Sequence, residues 1–93
     1  MNFDQPFKIS ENVVCQEVEG QTLLLNALTG HIFGLDQVSS RVWELMQTFE
    51  TMNEVKQQML TDFDVDEVTL REDLGKFVES LMNLEIIASD ETK

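Results

Sequence analysis

The chain has little of what most catalytic, metal-binding or extracellular proteins rely on. A single cysteine, Cys15, in 93 residues excludes an internal disulfide, and no CxxC or Cys/His cluster is present to hold zinc. A single histidine, His31, excludes a histidine metal pair and has no Ser/His or Cys/His signature near it. The four glycines, at 20, 30, 34 and 75, are scattered singly, so there is no glycine-rich loop to cradle a phosphate. Basic residues number six against eighteen acidic ones, a net charge of −12. Phosphate backbones are bound by Lys and Arg, so nucleic acid is a poor partner for this surface. No apolar run is long enough to span a bilayer and no basic start leads into a signal-length apolar stretch. The expectation is a cytoplasmic protein without membrane association.

What is present points to one small domain. Hydrophobic residues make up 42% of the chain, enough for a core but not for two. The acidity is uneven: residues 1–35 carry four acids and one base, residues 36–93 fourteen acids and five bases. Such a surface keeps a protein soluble, and it also attracts basic peptides or proteins.

Residues 1–12 show little periodicity and contain Pro6; they read as an irregular N-terminal arm. From Val13 the texture is that of strands. VVCQEVE is rich in β-branched residues, Glu19-Gly20 is a turn signal, and QTLLLNA is a short apolar run. A second connection, 26 to 30, ends in Gly30, suited to the positive φ of a turn. HIFGL follows as a third strand, completing an antiparallel meander. Asp36 can then cap a helix over 37 to 47 with Val38, Val42, Trp43, Leu45 and Met46 at helical spacing. Thr51-Met-Asn-Glu54 matches a capping box that opens a helix to about Asp62, with Met52, Val55, Met59, Leu60 and Phe63 near one face. The acidic joint DFDVDE suits the positive N-terminus of a third helix, 67 to 83, which buries Leu70, Leu74, Phe77, Val78 and Leu81. Leu84, Ile86 and Ile87 finish the core, and SDETK, residues 89–93, is a polar tail. The fold class is α+β: a winged-helix-like arrangement of a three-stranded antiparallel sheet followed by three helices.

The residues with chemical potential do not assemble into a reactive set. Cys15 and His31 could meet only through strand register, which the sequence leaves open, and a thiolate needs an electropositive setting that this chain lacks. Asp62, Asp64, Asp66 and Glu67 resemble a calcium loop but lack its glycine at position six and its glutamate at position twelve; helix capping accounts for them better. No catalytic residue, metal ligand or cofactor is expected. Gly34 inside a strand and Gly75 inside a helix each have two readings. They permit close internal packing, or they line a groove that receives an extended chain.

The run LLLNALTGHIFGLDQVSSRVWELM resembles the PqqD family, as does TMNEVKQQMLTDFDVDEVTLREDLGKFVESL, in their order of leucine-rich strand, Thr-Gly turn, aromatic strand, capped helix bearing Trp, Thr-capped helix, acidic joint and third helix. The resemblance covers about Val13 to Ile87, so residues 13–88 are expected to form a PqqD-like peptide-binding domain. Two departures stand out. Ser39-Ser40 replace the family's frequent Gly-Ala, and Glu85-Ile86-Ile87 replace its frequent Gly after the third helix. A left-handed cap is less comfortable for glutamate, so Asn83 is expected to end that helix.

The resemblance implies a RiPP recognition element: a binding module that captures the leader region of a ribosomally made precursor peptide and presents it to a modifying enzyme, such as a leader peptidase or a radical-SAM enzyme. The leader adds as a strand to the third strand and lies against the third helix, which is β-augmentation. The residues expected to bind it are Ile32, Phe33, Gly34 and Leu35 on the strand. On the helix they are Arg71, Leu74, Gly75 and Val78, spaced at i, i+3, i+4 and i+7. Asp73 matches a recurrent family acid and would meet a basic leader residue or only solvent. Leu74 and Val78 read equally well as core. The competing readings are a winged-helix DNA-binding or regulatory protein, which the acidic third helix disfavours, and a small cysteine-dependent enzyme. An unpaired third strand could also pair with its own copy and give a dimer.

Overall fold

The computed structural model describes residues 2–90. Its elements are β1 (Phe7–Ile9), β2 (Val13–Val18), β3 (Gln21–Asn26), β4 (Ile32–Leu35), α1 (Gln37–Met46), α2 (Met52–Asp62), α3 (Glu67–Asn83) and β5 (Ile87–Ser89). Strands β2, β3 and β4 form an antiparallel sheet in that order, and β1 pairs with β5 in a separate two-stranded one. The three-stranded sheet followed by three helices is the α+β arrangement read from the sequence.

Local chemistry explains where the elements begin and end. The β2–β3 hairpin turns through Glu19 and Gly20, both at positive φ (52° and 82°), the two-residue geometry that matches strand twist. Each helix starts on the cap that the sequence offers. The Asp36 carboxylate accepts from the Ser39 amide at 2.7 Å, and this bond holds its pKa below the usual carboxylate value. Thr51 and Glu54 make both halves of a capping box, and Asp66 accepts from the Thr69 amide at 3.0 Å.

Helix α3 does end at Asn83, but the left-handed residue lies two positions later. Glu85 adopts φ 58°, its amide donates to the Met82 carbonyl (3.0 Å), and the Ile86 amide donates to Leu81 (2.8 Å). That pair of bonds is a Schellman closure with glutamate where glycine is usual. The bonds and the burial of Ile86 hold the glutamate in place despite its steric cost.

The N-terminal segment differs from the irregular arm expected. Phe7–Ile9 pairs with Ile87–Ser89, Pro6 bridges Thr51, and the Phe3 carbonyl accepts from the Asn53 amide at 3.0 Å. Phe3 and Phe7 are both buried, and burial of two aromatic rings is what draws the segment onto the helices. The polar tail is also shortened: Ser89 belongs to β5, while residues 91–93 lie outside the described residues. The core is built from Leu24 and Leu35 of the larger sheet, Val42, Trp43 and Met46 of α1, Met52, Val55 and Met59 of α2, and Leu70, Leu74, Val78 and Leu81 of α3. Among the described residues no helix is long and apolar enough to cross a membrane.

Candidate functional site

The β4 strand has one partner. It pairs with β3 at Leu25↔Ile32, Leu24↔Phe33, Leu23↔Gly34 and Thr22↔Leu35, and among the described residues its other edge is unpaired. The bond from the Asn26 amide to the His31 carbonyl (2.9 Å) fixes the phase of this ladder. In an antiparallel pair the bonded positions alternate, so Phe33 and Leu35 turn their backbone groups toward β3. Ile32 and Gly34 turn theirs to the open edge, where they can receive another chain. The side chains alternate as well: Leu35 is buried and Phe33 half-buried on the core face, while Ile32 is exposed on the other.

Helix α3 runs beside this edge, and the Phe33 and Phe77 rings meet with centroids 6.0 Å apart. From that contact an apolar cavity of about 240 Å³ extends toward the start of α3, between it and the beginning of α1 and the end of α2. Val38, Val42, Met59, Phe63 and Val65 line it with Thr69, Leu70, Asp73, Leu74 and Phe77, and Asp73 is the only charged lining residue. This is smaller than typical small-molecule sites, which run about 300–1,000 Å³, and is sized for one or two side chains.

The structure divides the expected helix residues. Leu74 and Val78 are buried, Leu74 reaching the cavity from the core side. Arg71 stacks its guanidinium over the Phe3 ring, 5.0 Å from the centroid. Gly75 lies in a shallow depression lined by Phe3, Val78, Glu79, Met82 and Asn83. Arg71 and Gly75 therefore sit on the flank of α3 that faces the N-terminal segment. Asp73 and Phe77 sit on the flank that faces the cavity, because two residues along a helix turn the side chain through roughly 200°. Of the expected residues, the structure brings together Ile32, Phe33, Gly34, Leu35, Asp73 and Leu74. It adds Val38, Thr69 and Phe77, which the sequence reading did not place in the site. Thr69, Asp73 and Phe77 recur every four residues, a spacing that would have found them once one member was fixed on the groove side.

The two glycines resolve differently. A Cβ on Gly75 would meet nothing within 4 Å, so internal packing does not require it. A Cβ on Gly34 would lie 2.9 Å from the side-chain amide of Gln21, the mobile end of a flexible side chain.

Asn26 couples the strand to the helix. Its buried side chain donates to the carbonyls of Leu84 (3.0 Å) and Glu85 (3.2 Å), just past the end of α3. It accepts from the amides of Leu28 (3.0 Å) and Thr29 (3.3 Å) in the turn before β4. One amide thus ties the start of the edge strand to the helix that forms the other wall.

Nothing in the described residues gathers a reactive group. His31 is exposed with its Nδ1 3.1 Å from the Thr29 hydroxyl. Cys15 is opposite Leu24, itself opposite Phe33, so the intervening strand β3 and a two-residue offset separate the thiol from His31. No cluster of three His, Cys, Asp or Glu side chains among the described residues could hold a metal. Several cations are already engaged. Arg41 binds Glu44 (3.2 Å) and Asp62 (3.0 Å), which raises the arginine pKa and lowers that of Asp62. Lys56 is buried against Glu67 at 2.9 Å, and Arg71 is over Phe3. The exposed face of α3 is left dominated by acids, so nothing supports DNA binding.

A family profile described as "Coenzyme PQQ synthesis protein D (PqqD)" matches residues 21–87. The chain belongs to the PqqD family. Among solved structures it is similar to "TbiB1 in Complex with the TbiA(beta) Leader Peptide", with 33% identity, TM-score 0.80, and coverage of 91% of this chain and 99% of that one. It is also similar to "Lasso peptide synthetase B1 complexed with the leader peptide" at 14% identity, where TM-score 0.77 over 89% of this chain and 98% of that one is a likeness of fold. Comparison with curated proteins found no match. Family membership agrees with the resemblance seen in the sequence; the match begins at β3, so it takes in β3 to the end of the resemblance but not the β2 segment from Val13.

Proposed function

We propose that this PqqD-family protein is a non-catalytic recognition element that captures the leader region of a precursor peptide by strand addition to β4. It then presents that peptide to a modifying enzyme in the cytoplasm. The observation that carries this reading is the open edge of β4 set against an apolar cavity under α3. Backbone pairing at Ile32 and Gly34 would supply register without sequence preference, and the cavity would supply selectivity. A leader side chain on the Phe33 face would point toward Phe33, Phe77 and the cavity beyond, which Leu74 lines from the core side. Asp73 at the rim favours a basic neighbour in the leader. Arg71 and Gly75 act from the far flank and Val78 from the core, as supports of the helix rather than contacts. The family assignment and the relatives solved with leader peptides agree with this reading.

The protein needs no reactive group for the task. Holding the leader raises the effective concentration of the attached core peptide at the partner's active site, by linkage rather than chemistry. A titration of the ¹⁵N-labelled protein with its cognate leader tests the groove. The amide resonances of Ile32–Leu35, Asp73 and Phe77 are expected to shift, with those of Arg71 and Gly75 changing least. Unmoved β4 resonances at saturating peptide would reject strand addition here.

A further inference from the structure

We infer that the outer face of the β2–β3–β4 sheet is the docking surface for the peptide-modifying enzyme, and that a leader strand added to β4 completes it. This rests on the strand-addition reading above. By register, the positions facing away from the core run from Val14 to Val18 on β2, Gln21 to Leu25 on β3, and Ile32 and Gly34 on β4, taking every second residue. None of them is charged, although charged residues make up 26% of the chain. Val14, Val18 and Ile32 are 43%, 47% and 64% exposed, and Leu23 and Leu25 are half-buried between them. The face is thus an uncharged, largely apolar area on an acidic protein, interrupted by the exposed amides of Gln16 and Gln21 and with Glu17 and Glu19 exposed at its margin.

Its charge selects the occupant. With strands about 4.8 Å apart and ~3.4 Å per residue, the bare face covers roughly 250–300 Å². A stable complex buries about 800 Å² on each partner. Area does not separate the candidate occupants, because one added strand still leaves the face below that figure, so any partner must also make contacts beyond it. Charge does, because two copies meeting here would oppose two net charges of −12. A strand added to β4 carries the face outward by about another 4.8 Å, and its alternate side chains lie in line with Ile32 and Gly34. The occupant that fits is a different protein with an apolar patch and a basic rim, touching both the sheet and the leader. Such a partner binds the loaded protein in preference to the empty one, because only the loaded sheet offers the whole surface.

The test uses the full chain, a fluorescently labelled cognate leader and the modifying enzyme encoded beside the precursor. Wild type is compared with Val14→Lys/Val18→Lys and with Leu28→Lys/Val68→Lys, which makes the same charge change at exposed apolar sites off the face. Leader affinity, read by anisotropy, is expected within twofold of wild type in both variants. Failure of wild type itself to bind leader would overturn the strand-addition reading and this inference with it. With leader bound, enzyme affinity should fall at least tenfold in the β2 variant alone. Wild type without leader should bind the enzyme at least tenfold more weakly than with it. Unchanged enzyme affinity in the β2 variant, or equal affinity with and without leader, would overturn the inference while leaving leader capture standing. Should the β2 variant fail to fold, methyl resonances of wild type decide the matter. Those of Val14, Val18, Leu23 and Leu25 shift when unlabelled enzyme joins the leader complex; if they stay fixed, the outer face is not the interface.

Discussion

The two flanks of α3 adjoin the same buried stripe and have opposite surroundings. One carries Arg71, Gly75 and Met82 and is overlaid by the N-terminal segment, with Phe3 under the Arg71 guanidinium. The other carries Thr69, Asp73 and Phe77 and borders an open apolar cavity beside β4. Both adjoin the same buried stripe of Leu70, Leu74, Val78 and Leu81. A helical repeat identifies that stripe and the flanks on either side, but not which flank another part of the chain will cover. The cover is decided by residues more than sixty positions away in sequence, and it leaves the other flank uncovered.

The largest effect expected from testing this contrast is at Asn26, which sets the separation of the open flank from β4. Asn26→Leu keeps the volume but removes two donated and two accepted bonds. Loss of roughly 2–4 kcal/mol in urea unfolding is expected, since polar groups at both ends lose their partners. Leader binding should weaken with it, even below the unfolding midpoint.

Next come the two aromatic rings, one on each flank. Phe3→Ala should lower stability by about 2–3 kcal/mol through lost burial while leaving leader affinity within twofold. Phe77→Ala, at a half-buried ring, should cost less stability and at least tenfold in affinity. Chemical denaturation and anisotropy titration on the same two variants separate these outcomes; matching losses in both would erase the distinction between the flanks.

The smallest effect is expected at the C-terminal end of the helix that both flanks share. Glu85 sits at φ 58°, a region that costs an L-residue about 1–2 kcal/mol. Glu85→Gly should therefore raise stability by about 1 kcal/mol, read as an increase in Tm, with leader affinity unchanged.

Much of this architecture was legible because its determinants are local. Asp36, Thr51 and Asp66 announce three helix starts, and each makes the bond its position suggests. Glu19-Gly20 announces a hairpin for the same reason. The strand Phe7–Ile9 was not legible: three residues show no alternation, and its partner, Ile87–Ser89, lies at the other end of the chain. Asn26 looked like an ordinary turn residue, since its bonds to Leu84 and Glu85 exist only after α3 has docked. In the site, the edge strand was visible as HIFGL after a turn glycine. The helix wall proposed here lies a partial turn from Arg71 and Gly75. Those two share the spacing of a groove stripe, and the N-terminal segment that covers their flank carries no pattern of its own.

The central claim is that a peptide is held by the backbone of β4. Ile32→Pro tests it most directly, because the register leaves the Ile32 amide facing the open edge and proline is tolerated where no ladder bond is lost. Anisotropy with the labelled cognate leader should show at least a tenfold loss of affinity, with Tm within a few degrees of wild type. Wild-type affinity in a folded Ile32→Pro variant would contradict capture by strand addition at this edge.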